Sequence, residues 1–188
     1  FTAVGLQGSA WAQQYSYKKS QSANFSLFVY NDTWLSVCFS LLKVETINWE
    51  QAGPYGASWT NRTVDATLYN GSGGVVSPGE EVCNNATMIT LSLPPPGSWT
   101  PGSYSVRIKV QNATEGKGTL WGYFSVVVPT VTFSYPAGGE TFSGTGYISI
   151  SAWTGNDPSC EISNVSFYWS NSTKSDQYIG SSNATYCN

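Results

Sequence analysis

Histidine is absent from the 188 residues, which removes the Ser-His and Cys-His pairs that most nucleophilic hydrolases use to activate an attacking oxygen or sulfur. Eleven Asp and Glu remain as acid–base candidates, and two facing carboxylates would suit glycoside hydrolysis. None carries a recognisable local motif. Glu80-Glu81 follows Pro78-Gly79 in a loop, where solvated charge is the ordinary explanation. Asp157, Glu161 and Asp176 offer oxygens for calcium, but no Asp-rich loop of the required ligand spacing surrounds them. With no histidine and no CxxC spacing, zinc, haem and redox-motif readings are weak. The chain therefore reads as a non-enzyme with no metal and no cofactor.

The side chains whose spacing does predict chemistry are amides. Nine of thirteen asparagines (Asn24, Asn31, Asn61, Asn70, Asn85, Asn112, Asn164, Asn171 and Asn183) stand in Asn-X-Ser/Thr with X not Pro. Chance in so Ser/Thr-rich a chain would give about three. Covalent N-glycans are the expected modification, which requires export and puts these positions at the surface. Four cysteines, an even count, then read as two disulfides, most simply in sequential pairs, Cys38 with Cys83 and Cys160 with Cys187.

Composition points the same way. Charged residues are 10% and aromatics 15%, against a usual charged share of about 25%, so glycans are the natural means of hydrating the surface. The net charge is −3 with the basic residues scattered, and no basic stripe suggests nucleic acid. No apolar run approaches the length of a membrane span. The chain starts at Phe1 without an initiator Met or a signal-peptide pattern, as expected of a mature product whose leader has been removed.

The elements that must position these residues are strands. Phe25-Leu27-Val29 alternate with Ser26-Phe28-Tyr30, Asn31-Asp32 offers a turn, and Leu35-Val37-Phe39-Leu41 carries Cys38 on its other face. Residues 45 to 61 read as a long loop holding Trp49, Tyr55 and Trp59. Val64-Ala66-Leu68 forms a short strand, and Ile89-Leu91-Leu93 another. Tyr104-Val106-Ile108-Val110 and Leu120-Gly122-Phe124-Val126 predict a hairpin turning at Asn112 to Gly118. No window holds helical periodicity over three turns. The expected class is all-β, an antiparallel β-sandwich.

Pro129 marks a boundary. From Val131 the run Phe133-Ser134-Tyr135-Pro136-Ala137-Gly138-Gly139, then Gly144, Tyr147-Ile148-Ser149-Ile150-Ser151-Ala152 and Asn164-Val165-Ser166-Phe167-Tyr168-Trp169, resembles an extracellular Ig-like module. The resemblance implies a fold and little about function. Residues 129–188 offer four or five strands where such a sandwich needs seven. Either this region belongs to the same head as what precedes it, or strands are missing.

The N-terminus alternates as well. Val4, Leu6, Gly8, Ala10 and Ala12 share one small, apolar face, and Gln13 to Ser22 lack a tight-turn signature and suit a spacer. The strand either pairs in its own domain or frays, or it completes the sheet of a neighbouring copy. Together with the predicted glycans and the all-β head, it resembles the subunits of archaeal thread-type pili. That resemblance implies donor-strand complementation, with Val4, Leu6, Gly8 and Ala10 as the donor residues and the chain its own partner in a homopolymeric, adhesive cell-surface filament. The organisation expected is a tail (1–22), a sandwich (23–128) and an Ig-like region (129–188). The alternative is a carbohydrate-binding or adhesin module of a larger surface protein, with Trp49, Tyr55 and Trp59 stacking on surface glycans.

Overall fold

A computed structural model describes residues 5–52, 62–84, 88–95, 99–144, 146–155, 162 and 164–183. The chain divides into two compact units, Phe1–Val126 and Val127–Asn188. Segment 1–22 belongs to the first of them.

In the first unit, alternation of apolar and polar residues produces two sheets whose inner faces share one core. One sheet has the order β1 (Gln7–Ala12), β3 (Ala23–Tyr30), β8 (Ile89–Leu93), β6 (Thr67–Tyr69). The other runs β2 (Ser16–Lys18), β10 (Gly116–Val127), β9 (Gly102–Asn112), β4 (Cys38–Asn48), β5 (Thr63–Val64), with β7 (Val82–Cys83) also on β4. Phe25, Leu27, Val29, Ile89 and Leu91 from the first sheet meet Val44, Val106, Ile108, Leu120 and Phe124 from the second. The expected all-β sandwich is what forms, and its strand registers are antiparallel. The β9–β10 hairpin turns where expected: Asn112 pairs with Gly116, whose φ of 94° is the left-handed conformation that closes such a turn.

Three expectations give way. The loop expected from residue 45 begins later. Glu45–Asn48 continue β4, and Trp49–Ala52 form one helical turn, α1. Asn48 caps α1, its Oδ1 accepting the Glu50 and Gln51 amides at 3.0 and 3.2 Å. Glu45 and Asn48 are buried polar residues, which disguised this end of the strand. Tyr55 and Trp59 lie outside the described residues. The strand expected over residues 64–68 is two strands in different sheets, because the chain crosses the sandwich between Val64 and Thr67.

The third correction concerns the N-terminus. Of the two readings left open for the N-terminal strand, pairing within its own domain is the arrangement of the single chain, with Gln7 opposite Tyr30 and Ala12 opposite Phe25. The segment read as a spacer supplies β2 beside β10. Tyr17, buried in the middle of that polar run, holds it in place. Its ring meets Phe124 edge-on at 5.7 Å, and its hydroxyl donates to the Asn24 carbonyl at 2.8 Å and accepts the Gln14 amide at 3.1 Å. The chain thus passes from one sheet to the other and back between β1 and β3, an arch where a tight hairpin would have left a sequence signature.

Cys38 and Cys83 face each other across β4 and β7 and are joined by a disulfide. Cys160 and Cys187 lie outside the described residues.

The second unit holds two two-stranded sheets, β11 (Thr130–Tyr135) with β12 (Ser151–Gly155), and β13 (Asn164–Trp169) with β14 (Gln177–Asn183). Val131, Phe133, Trp153, Tyr168 and Tyr178 are exposed. Four strands are found among its described residues.

Candidate functional site: the seam of the N-terminal strand

β1 is an edge strand whose inner face lies over β10. Two glycines on the inward face of β10, Gly118 and Gly122, flank Leu120 and let the strand above approach closely. Leu6 sits over Gly118: a Cβ added there would collide with the Leu6 carbonyl. Gly8 sits over Leu120 and tight against β3: a Cβ there would collide first with the Phe28 carbonyl oxygen and also lie 3.0 Å from the leucine side chain. Ala10 sits over Gly122, where an added Cβ would lie 3.3 Å from the alanine methyl and 2.8 Å from the Phe25 ring. Large over small, small over large and small over small fix the register along three successive inward positions. Leu6 and Ala10 are buried, while Gln7 and Trp11 face outward. Val4 lies outside the described residues. A glycine inside a strand often marks close backbone approach, and Gly118 and Gly122 carry that signal in the sequence. In the sequence, Gly122 stands simply as one member of an apolar face.

The sequons fall into distinct geometries. Asn31, Asn70, Asn112 and Asn171 each begin a turn in which Oδ1 accepts both the backbone amide and the hydroxyl of the Ser or Thr two residues on. These are Asx-turns, so the Asn-X-Ser/Thr pattern has a conformational role here whether or not it carries a glycan. Asn171, Asn164 and Asn183 are exposed. Asn112 is different, because its Nδ2 donates to the Cys38 carbonyl at 2.5 Å. Asn31 donates to Glu115 at 3.2 Å, and Asn24 is half-buried on β3. Asn61 and Asn85 lie outside the described residues.

Among the carboxylates, Glu80 and Glu81 serve the backbone, accepting the amides of Ser77 at 3.1 Å and Ala113 at 2.9 Å. The notable one is Glu45, 1% exposed on β4 and surrounded by cations: Lys43 at 2.8 Å, Arg107 Nε at 2.7 Å and Lys109 at 3.4 Å. Burial opposes its charge. Hydrogen bonds from Lys43 and Arg107, the Arg107 charge and the Lys109 hydrogen bond outweigh that opposition and hold the carboxyl at about 2, below its ordinary 4.5. Such a group is ionised throughout the neutral range and ties β4 to β9. It is poorly suited to proton transfer near pH 7, where a pKa close to the operating pH is needed. Among the described residues no group of His, Cys, Asp and Glu is arranged to hold a metal, and no helix is long and apolar enough to cross a membrane.

Residues 129–188 match the bacterial Ig domain family. The match covers the region whose Tyr-Pro-Ala turn and flanking strands resemble that module, and it fits a surface-associated, extracellular β-protein. No curated protein matches the chain in sequence. Among solved structures, similar chains include a conjugative transposon lipoprotein from Bacteroides eggerthii (9% identity, TM-score 0.32, 66% of this chain and 98% of that one). A family 123 glycoside hydrolase from Clostridium perfringens is similar at 12% identity and TM-score 0.37, over 65% of this chain and 27% of that one. Likenesses this distant carry no functional inference.

Proposed function

We propose that this chain is a structural, non-catalytic subunit of an extracellular filament, and that β1 is the element exchanged between copies. In the single chain β1 fills its own groove. In the filament, β1 of one copy takes the same place beside β3 and over β10 of the next, as the resemblance to thread-type pilins implies. The observation that carries this reading is the size-matched register of Leu6, Gly8 and Ala10 over Gly118, Leu120 and Gly122. It holds the strand by close packing over β10 without requiring a tight hairpin. Gln13–Tyr15, between β1 and β2, is the natural hinge. A head-to-tail contact of this kind is heterologous and gives an open filament. Buried Leu6 contributes about 1.5 to 3 kcal/mol, and each backbone hydrogen bond along the strand adds about 0.5 to 1.5 kcal/mol.

The test uses cysteines at the facing outward positions Ser9 and Phe28. Cells carrying the S9C/F28C chain are oxidised and their surface material run on a non-reducing gel. A ladder of disulfide-linked oligomers is the expected result. Monomers cross-linked only within themselves would refute strand exchange and leave a self-complemented surface module.

A further inference from the structure

A groove of about 550 Å³ opens beside the seam. Trp11 of β1 and Tyr15 of the following turn line one part of it, Trp49 of α1 and Tyr123 of β10 another. These rings are unusually open for aromatic side chains: Tyr15 is 91% exposed, Tyr123 67%, Trp11 56% and Trp49 40%. The frame beneath them is ordered. The Ser125 amide donates to the Tyr15 carbonyl at 3.3 Å, and the Trp49 indole N–H donates to Ser105 Oγ, fixing that ring. Between the rings lie Gln14, Ser103 and Ser125, and neither Asp, Glu, Lys nor Arg lines the groove.

We propose that this groove binds a neutral oligosaccharide. A pyranose presents a C–H face that packs on an aromatic ring and a rim of hydroxyls that pair with amides and serines, and it carries no charge needing a counter-ion. The groove offers that combination of several ring faces, a few uncharged polar groups and no ion. A proline-rich peptide also suits aromatic grooves, but it offers the groove's amide and hydroxyl groups carbonyl acceptors alone, whereas sugar hydroxyls both donate and accept. The groove belongs to the single chain, in which β1 forms one wall and Gln14 and Tyr15 follow it, so its binding is tested on the monomer, apart from filament assembly.

The test is titration of the full chain, followed by tryptophan fluorescence and calorimetry, with maltohexaose, cellohexaose, mannohexaose, chitohexaose and, separately, a proline decamer. At least one hexasaccharide is expected to bind saturably. Tyr123→Ala and Tyr15→Ala, which remove exposed rings, should each weaken that binding tenfold or more at unchanged Tm. Trp153→Ala, an exposed ring of the second unit, should leave it unchanged. The inference is overturned if no hexasaccharide binds, if only oligoproline binds, or if binding survives both tyrosine substitutions.

Discussion

Replacing Gly118 by alanine sets a methyl carbon on the backbone of the N-terminal strand, 2.7 Å from the Leu6 carbonyl carbon and 2.7 Å from Leu6 Cβ. Backbone cannot rotate aside as a side-chain tip can, so β1 must retreat by about 1 Å to restore ordinary carbon contact near 3.5–4.0 Å. The chain has two responses. It can keep β1 and distort, at an overpacking cost of about 1–3 kcal/mol. Or it can release β1, losing the burial of Leu6, about 2 kcal/mol, together with the smaller burial of Ala10 and the hydrogen bonds to β3. Release also regains about 1–2 kcal/mol of backbone entropy per freed residue, which caps the net loss. We expect Gly118→Ala to destabilise the chain by about 2 kcal/mol and Leu6→Ala by about 2–3 kcal/mol. Both act by loosening the same strand, so the double variant should fall short of their sum by about 1 kcal/mol or more. Urea denaturation supplies the free energies, and hydrogen exchange of amides 5–12 reports whether the strand has left. A Gly118→Ala chain within about 0.5 kcal/mol of the parent, with those amides fully protected, would refute the register-lock account.

Glu45 should make stability depend on acid. Its folded pKa of about 2 lies below the ordinary 4.5, so its contribution is fully present above about pH 5 and is lost as the pH falls towards 2. The shift corresponds to about 3 kcal/mol, and because its cationic partners are 24–39% exposed and screened by water, about 1–2 kcal/mol is the expected effect. Urea midpoints between pH 2 and 6 should therefore show a shallower acid decline in Glu45→Gln than in the parent, and equal slopes would contradict the charge cluster. Replacing Cys38 and Cys83 together by alanine should cost about 4 kcal/mol in the loop-entropy account of a bridge spanning 45 residues, read as a lowered urea midpoint. Peptide mass spectrometry of native material should find a glycan on exposed Asn171 and none on Asn112, whose Nδ2 is held by the Cys38 carbonyl; the reverse pattern would contradict that sorting.

Much of the sandwich is legible in the sequence because period-two alternation is a local signal. Phe25-Leu27-Val29, Ile89-Leu91-Leu93 and the β9–β10 hairpin all declare their inner faces within a few residues. What escaped was decided by distant partners. Glu45 looks like the start of a polar loop until Arg107 and Lys109, more than sixty positions away, neutralise it within the strand. Tyr17 looks like one more residue of a hydrophilic spacer until Phe124 and Asn24 receive it. The candidate seam was half visible. The small apolar face of β1 was plain, but its fit to Gly118, Leu120 and Gly122 emerges only when residues more than a hundred positions apart are superposed. The groove was harder still, since it combines rings from β1, the turn after it, α1 and β10, and of these only Trp49 stands in the aromatic cluster of residues 45 to 61.

The way β1 lies along β3, paired from Gln7 to Ala12, also bears on mechanics. A strand drawn along its own axis cannot open one bond at a time as a hairpin peeled from its end does. The bonds of the row share the load and must fail almost together, and each of the size-matched side chains would have to climb past its neighbour's position in the same step. Tension carried through this strand therefore meets an abrupt yield point, with little lengthening before it, whereas a load applied across the strand would peel it away one bond at a time.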